Sequence, residues 1–172
     1  MAKRLLRLLY VFLILLVLLS GCTQQSLSSP QKCLVTDFSA DFEAQYRNAE
    51  YKGYVSTNRQ GIVTINITYP ETIEGLEFKY YGSDMEISRG SLICSADEAY
   101  LPDRSFPGVL RSLFSGVGQG RERLVSDSEE TTYTLSVPMG NAVLTASENL
   151  LKRAEIKDIG FIIEFSDIKA SE

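Results

Sequence analysis

The sequence predicts a mainly β chain of α+β type, a long and strongly curved antiparallel sheet that closes over an inserted helix. Three observations carry this expectation. Residues 37–47 alternate without a break: Phe38, Ala40, Phe42, Ala44 and Tyr46 fall on one side, and polar residues fall between them. Such alternation marks a strand with one face on a core and one in water. Further short runs rich in β-branched residues recur along the chain, separated by turn-forming groups. One segment breaks this pattern: Phe106, Val109, Leu110, Leu113 and Phe114 have the spacing of a helical face.

The elements follow in order. A strand over Tyr51–Thr57 reaches a turn at Asn58-Arg59-Gln60-Gly61, and a strand over Ile62–Tyr69 returns from it, with Val63, Ile65, Ile67 and Tyr69 on one face. Pro70 cannot donate to a ladder and stops that strand. Glu71–Leu76 reads as a connector with a single helical turn. Phe78–Tyr81 and Asp84–Ser88 are two short strands joined around Gly82-Ser83-Asp84, and Ser91–Ser95 is another. Ser105 is suited to cap the helix, Pro107 is tolerated in its first turn, and Gly116 is expected to end it. Gly116–Gly120 then reads as a flexible link; with no strand feeding it, it fails as a phosphate loop. Asp127-Ser128-Glu129-Glu130 reads as a turn. Thr131–Val137 and Ala142–Ala146 form a hairpin around Pro138-Met139-Gly140-Asn141. A strand follows from Asn149-Leu150 to Ile156, and a last one at Phe161–Phe165.

The start of the chain is of another kind. Lys3, Arg4 and Arg7 precede an apolar run from Leu8 to Leu19, and Leu19-Ser20-Gly21-Cys22 leads into a polar stretch. The apolar run is too short for a membrane span, which needs about 20 residues. It has the layout of a secretory signal. The cysteine after Ser-Gly resembles the bacterial lipobox. That resemblance implies removal of residues 1–21 and acylation of Cys22, with chains such as palmitate holding the protein on the extracytoplasmic face of the cell membrane. Two chains are what a stable anchor requires. Residues 22–33 read as a lipidated tether rich in Ser, Gln and Thr, and residues 34–170 as one β domain.

Composition narrows the function. Without Lys3, Arg4 and Arg7, fourteen basic residues face twenty-two acidic ones, a net charge near −8. This argues against nucleic acid, whose binding rests on a basic surface. The chain has no histidine, which removes Ser-His-Asp and Cys-His catalysis and the commonest zinc ligand. No metal pattern, cofactor motif or catalytic residue emerges. The acidic groups at Asp37, Asp41 and Glu43, at Asp97-Glu98 and at residues 127–130 read as solvated surface. With Cys22 committed to lipid, Cys33 and Cys94 remain. An exported location permits a disulfide between them, and two separate thiols are the alternative.

Several pieces together resemble a known superfamily. They are the Phe-x-Ala-x-Phe opening strand, Thr68-Tyr69-Pro70-Glu71 running into Gly75-Leu76-Glu77-Phe78, Tyr81-Gly82-Ser83-Asp84-Met85-Glu86-Ile87, and the closing strand Ile162-Ile163-Glu164-Phe165-Ser166-Asp167. Their order is similar to that of the LolA/LolB-like lipoprotein carriers, especially the lipid-anchored Gram-positive branch with germination lipoproteins of the GerS type. The resemblance implies a half-open barrel with one or two helices as a lid over an apolar cavity that holds acyl chains. Residues here that would line it are Phe38, Phe42, Tyr46, Ile65, Ile67, Phe78, Ile87, Leu110, Leu113, Phe114, Phe161, Ile163 and Phe165. An ordinary filled core is the alternative for each. The chain departs from the carriers in having no Trp and no clear buried Arg in its first strands. The expected function is a non-enzymatic, membrane-anchored lipoprotein that binds a lipid, an acyl chain or a cell-envelope protein. The alternative is a pure protein-interaction partner with a filled barrel, for example of a cell-wall hydrolase in spore cortex processing or germination.

Overall fold

The computed structural model describes residues 34–127 and 129–170. Cys22, Cys33 and the expected signal and tether lie outside the described residues. Lys32–Glu172 forms a compact unit of its own.

Eleven strands make one antiparallel sheet: β1 (Phe38–Tyr46), β2 (Ala49–Thr57), β3 (Val63–Tyr69), β4 (Leu76–Tyr81), β5 (Asp84–Arg89), β6 (Leu92–Asp97), β7 (Arg123–Asp127), β8 (Thr131–Val137), β9 (Gly140–Ser147), β10 (Leu150–Ile156) and β11 (Phe161–Ala170). Their order is β6-β5-β4-β3-β2-β1-β11-β10-β9-β8-β7, so β6 and β7 are open edges and β1 pairs with β11 at the centre. The one α-helix among the described residues is α1 (Phe106–Gly118). It touches both β3 and β8, although five strands separate them in the sheet. On a flat sheet those strands would stand about 29 Å apart at ~4.8 Å per strand. A helix about 10–12 Å across reaches both only because the sheet curls around it.

The alternation expected in β1 is observed: Phe38, Ala40, Phe42, Ala44 and Tyr46 are all buried, while Asp41, Glu43 and Gln45 are exposed. The expected strands are present; β2, β4, β5 and β9 run one to three residues longer than expected, and β11 runs five longer. The connector after Pro70 holds a single 3-10 turn, Glu71–Ile73. Core residues from most strands and from α1 form one apolar cluster. On the outer face, charged pairs such as Lys52 with Glu43 (2.7 Å) and Arg153 with Glu164 bridge neighbouring strands.

Three expectations are corrected. Gly116 does not end the helix. It is buried inside it, where a Cβ would lie 2.8 Å from Leu135 Cδ2, so its lack of a side chain serves close approach to β8. Nor is Gly116–Gly120 a loose link. Gly120 is left-handed (φ 62°), Gly120 N–H donates to Val117 O, and Arg121 N–H donates to Gly116 O. This is a Schellman closure. Finally, Asp127 belongs to strand β7, which the sequence reading does not anticipate. All five of its residues are exposed, so no alternation marks it.

At the other end of the helix Ser105 caps as expected, its Oγ accepting from Gly108 N–H at 3.2 Å. Ser105→Ala is expected to cost about 1 kcal/mol, read as a lower urea midpoint with an unchanged denaturant slope.

Candidate functional site

Among the described residues, much of the inner face of the half-barrel is packed. Among the residues expected to line a cavity, Phe42, Ile65, Leu110, Leu113, Phe161, Ile163 and Phe165 are buried in the apolar cluster and line neither cavity described below. Phe38, Phe114 and Phe165 pack edge-on or tilted against one another, with ring centres 5.8–6.4 Å apart. Ile87 is half-buried on β5. Space remains at the two ends of α1. A cavity of about 310 Å³ lies by its N-terminus, with Tyr46, Ile67 and Phe78 in its wall. There Tyr46 Oη donates to Arg104 O at 2.7 Å.

The larger cavity, about 400 Å³, lies between the C-terminal half of α1, the β2–β3 hairpin and the ends of β1 and β4. Its shape rests on local chemistry. Asn58 Oδ1 accepts from Gln60 N–H and Ile62 N–H, both at 3.0 Å, which folds the hairpin turn. Gly61 completes the turn at φ 77°, a conformation that favours glycine. Thr57 Oγ1 donates to Thr36 O at 2.7 Å and ties the end of β2 to the approach to β1. Phe38, Val63, Phe114 and Val117 supply an apolar wall. Arg111, Phe114, Ser115 and Gly118 also line it, at positions that share one side of a helix.

Two polar groups set the character of this cavity. Tyr80, on β4, is only 3% exposed, and its hydroxyl is buried without a hydrogen-bond partner among the described residues. Such a group costs about 1–3 kcal/mol to bury. The Arg111 guanidinium carbon lies 5.6 Å from the centre of the Tyr80 ring, within cation–π range. Burial pushes the Tyr80 phenol up to about 12, against the Arg111 charge, which pulls it down. It is therefore a neutral donor at physiological pH. A second cation, Arg59, stands at the rim, largely exposed and 3.3 Å from Asp37 Oδ2. No Asp or Glu is among the described residues lining this cavity.

The raised phenol has a consequence for stability. Below about pH 10 both folded and unfolded chains keep the proton; above it the unfolded chain loses its proton first. The stability of the fold therefore falls as pH rises from about 10 to about 12, because the folded state resists losing the Tyr80 proton. Urea midpoints measured across this window should fall less steeply for Tyr80→Phe than for the parent chain.

Sequence reading does not single out Arg111. One signal was available: between Phe106 and Gly120 it is the sole charged residue, placed beside an apolar stripe rather than opposite it. Of the acidic groups, Asp37 is half-buried and reaches the cavity rim as the partner of Arg59, while Asp41, Glu43, Asp97, Glu129 and Glu130 are exposed. Cys94 is exposed on edge strand β6 and is bonded to no described cysteine. No metal-binding cluster occurs among the described residues, and no described helix is long and apolar enough to cross a membrane.

No family model matches the chain, and no curated protein matches it. Solved structures do. An uncharacterized conserved protein from Thermus thermophilus is 12% identical, with 81% of each chain covered and a TM-score of 0.51. A LolA superfamily protein from Nitrosomonas europaea is 15% identical over 79% of this chain and 86% of its own, with a TM-score of 0.41. The structure of the CwlD amidase from Clostridioides difficile in complex with the GerS lipoprotein contains a chain 11% identical, matched over 78% of this chain and 87% of that one, with a TM-score of 0.48. At such identities the likeness is one of fold alone. At that level the expected architecture is the one observed: an open, curled antiparallel sheet holding a helix in its concavity.

Proposed function

We propose that this chain is a lipid-anchored, extracytoplasmic binding protein without catalytic chemistry, and that it takes an amphipathic ligand in the cavity between α1 and the β2–β3 hairpin. The observation that carries this reading is the cavity itself. Its volume of about 400 Å³ falls within the range of roughly 300–1,000 Å³ for ligand sites, and apolar side chains and polar donors meet in its wall. The LolA-like fold supports a binding role, and the lipobox at Cys22 supports the anchor. The absence of histidine from the sequence supports a role in binding rather than catalysis.

Lipid extraction tests the ligand. Mass spectrometry of Lys32–Glu172 purified from cells is expected to show a co-purified lipid or fatty acid. A lipid-free protein that also takes up none on incubation would count against the reading. The anchor is tested on native material, whose intact mass should begin at Cys22 and carry acyl chains. Cys22→Ser should abolish the acyl mass; an unmodified thiol at position 22 of the native protein would remove the anchor.

A second reading, a pure protein partner, is favoured by the filled interior and by edge strand β6, where Leu92 is 76% and Ile93 66% exposed. Affinity capture from membranes, repeated with a Leu92→Lys, Ile93→Lys double variant, tests it. A protein retained by the parent and lost by the variant would favour this reading over the first.

A further inference from the structure

We propose that the larger cavity is built to capture the anionic head of a single-chain amphiphile, with Arg111 and the Tyr80 hydroxyl as the groups that recognise it. This rests on the amphiphile reading above and specifies its chemistry.

Charge is the first argument. The chain carries twenty-two acidic residues and a net charge of −5, yet the described lining of this cavity includes Arg59 and Arg111 and no acid. In a chain with that balance, a cation-only lining selects for negative charge. The second argument is the Tyr80 hydroxyl, buried in the wall of the cavity with no partner among the described residues. An unmade hydrogen bond of this kind is expensive and is usually matched by a ligand or a role. Because the phenol holds its proton to about pH 12, it can only donate to an incoming carboxylate or phosphate. The third is the placement of Arg111 beside it. A guanidinium has five N–H donors in a fixed fork, so it can keep a protein contact and still bind an oxyanion.

Two influences oppose this: Asp37, 3.3 Å from Arg59, offsets that cation at the rim and leaves Arg111 as the main recognition charge, and the C-terminus of a helix carries partial negative charge. Here the carbonyls of Ser115, Gly116 and Val117 already accept from Gln119, Arg121 and Gly120, which blunts that field. Phe38, Val63, Phe114 and Val117 leave an apolar surface for a chain. The volume, at the small end of the range for ligand sites, suits one chain rather than several.

Calorimetric titration of Lys32–Glu172, the compact unit that contains every described element, separates the possibilities. The probes are dodecanoate, dodecanol and inorganic phosphate. Dodecanoate is expected to bind about tenfold or more tightly than dodecanol, the value of one hydrogen bond to a charged group, and free phosphate far more weakly than either. Arg111→Gln should remove most of the preference for dodecanoate over dodecanol. Tyr80→Phe should weaken dodecanoate by about tenfold, the loss of its hydrogen bond to the charged head, and raise the melting temperature, because it deletes an unpaired buried hydroxyl. Arg111→Lys keeps the charge and serves if the Gln variant does not fold; it should retain part of the preference. Equal affinity for dodecanoate and dodecanol would overturn the anion site and leave the amphiphile reading standing. Phosphate binding as tightly as dodecanoate would overturn the role of the chain. Binding of none of the three probes would overturn both this inference and the reading on which it rests.

Discussion

Phe106→Ala is expected to destabilise the domain by about 3–5 kcal/mol, the usual cost of emptying a buried aromatic site. Phe106 is the first residue of α1 and packs its ring against the centre of the sheet. Its ring stacks on Tyr51 at 4.0 Å with planes 5° apart, and it lies 5.8 Å from the ring of Phe42 and 6.2 Å from that of Phe161. Those partners come from β2, β1 and β11, at the centre of the sheet. Truncation therefore removes a contact to three strands at once and opens space next to the cavity at the helix N-terminus. Urea denaturation followed by far-ultraviolet circular dichroism checks the loss. Phe106→Leu, which keeps most of the apolar volume, should lose clearly less. Equal losses for the two variants would mean that the stacked ring contributes through its aromatic geometry rather than its bulk.

Gly53→Ala is the second large effect, with an expected cost of about 3 kcal/mol, at the upper end for overpacking. Gly53 sits on β2 directly opposite Phe42 of β1 and Ile67 of β3. A Cβ there would lie 2.0 Å from Asn66 O and 2.9 Å from Phe42 Cζ. The Phe42 ring could turn aside, but the Asn66 carbonyl is backbone of the neighbouring strand and cannot yield without moving β3. Because β3 leads from the hairpin that walls the larger cavity, the variant should lose ligand binding along with stability. A melting temperature within a degree or two of the parent would show that β3 gives way more easily than its pairing suggests.

Much of the architecture was legible because burial writes a period into the chain. The alternation of β1 and the stripe of α1 identify each element and its inward side, and both survive in the folded protein because water sorts side chains the same way at every residue. Strand β7 has no such record: all its side chains are exposed, so nothing selects an alternation, and it is held as a strand by its ladder to β8. The misreading of Gly116 has a related cause. A glycine near the end of an apolar stripe looks the same whether it stops a helix or lets a neighbour come close. Only Leu135, from β8, distinguishes the two.

The candidate site shows the same division. By itself the sequence determined the fold class, the inward faces, the helix with its Ser105 cap, and the lack of histidine chemistry. These follow from local spacing and residue type, which need no knowledge of distant partners. Only the tertiary structure decided where the interior is filled and where space remains. It also decided that Arg111 of the helix stands over Tyr80 of β4. Empty volume is a property of how α1 seats between strands far apart in the chain, and a pattern read along one segment cannot record the distance to another.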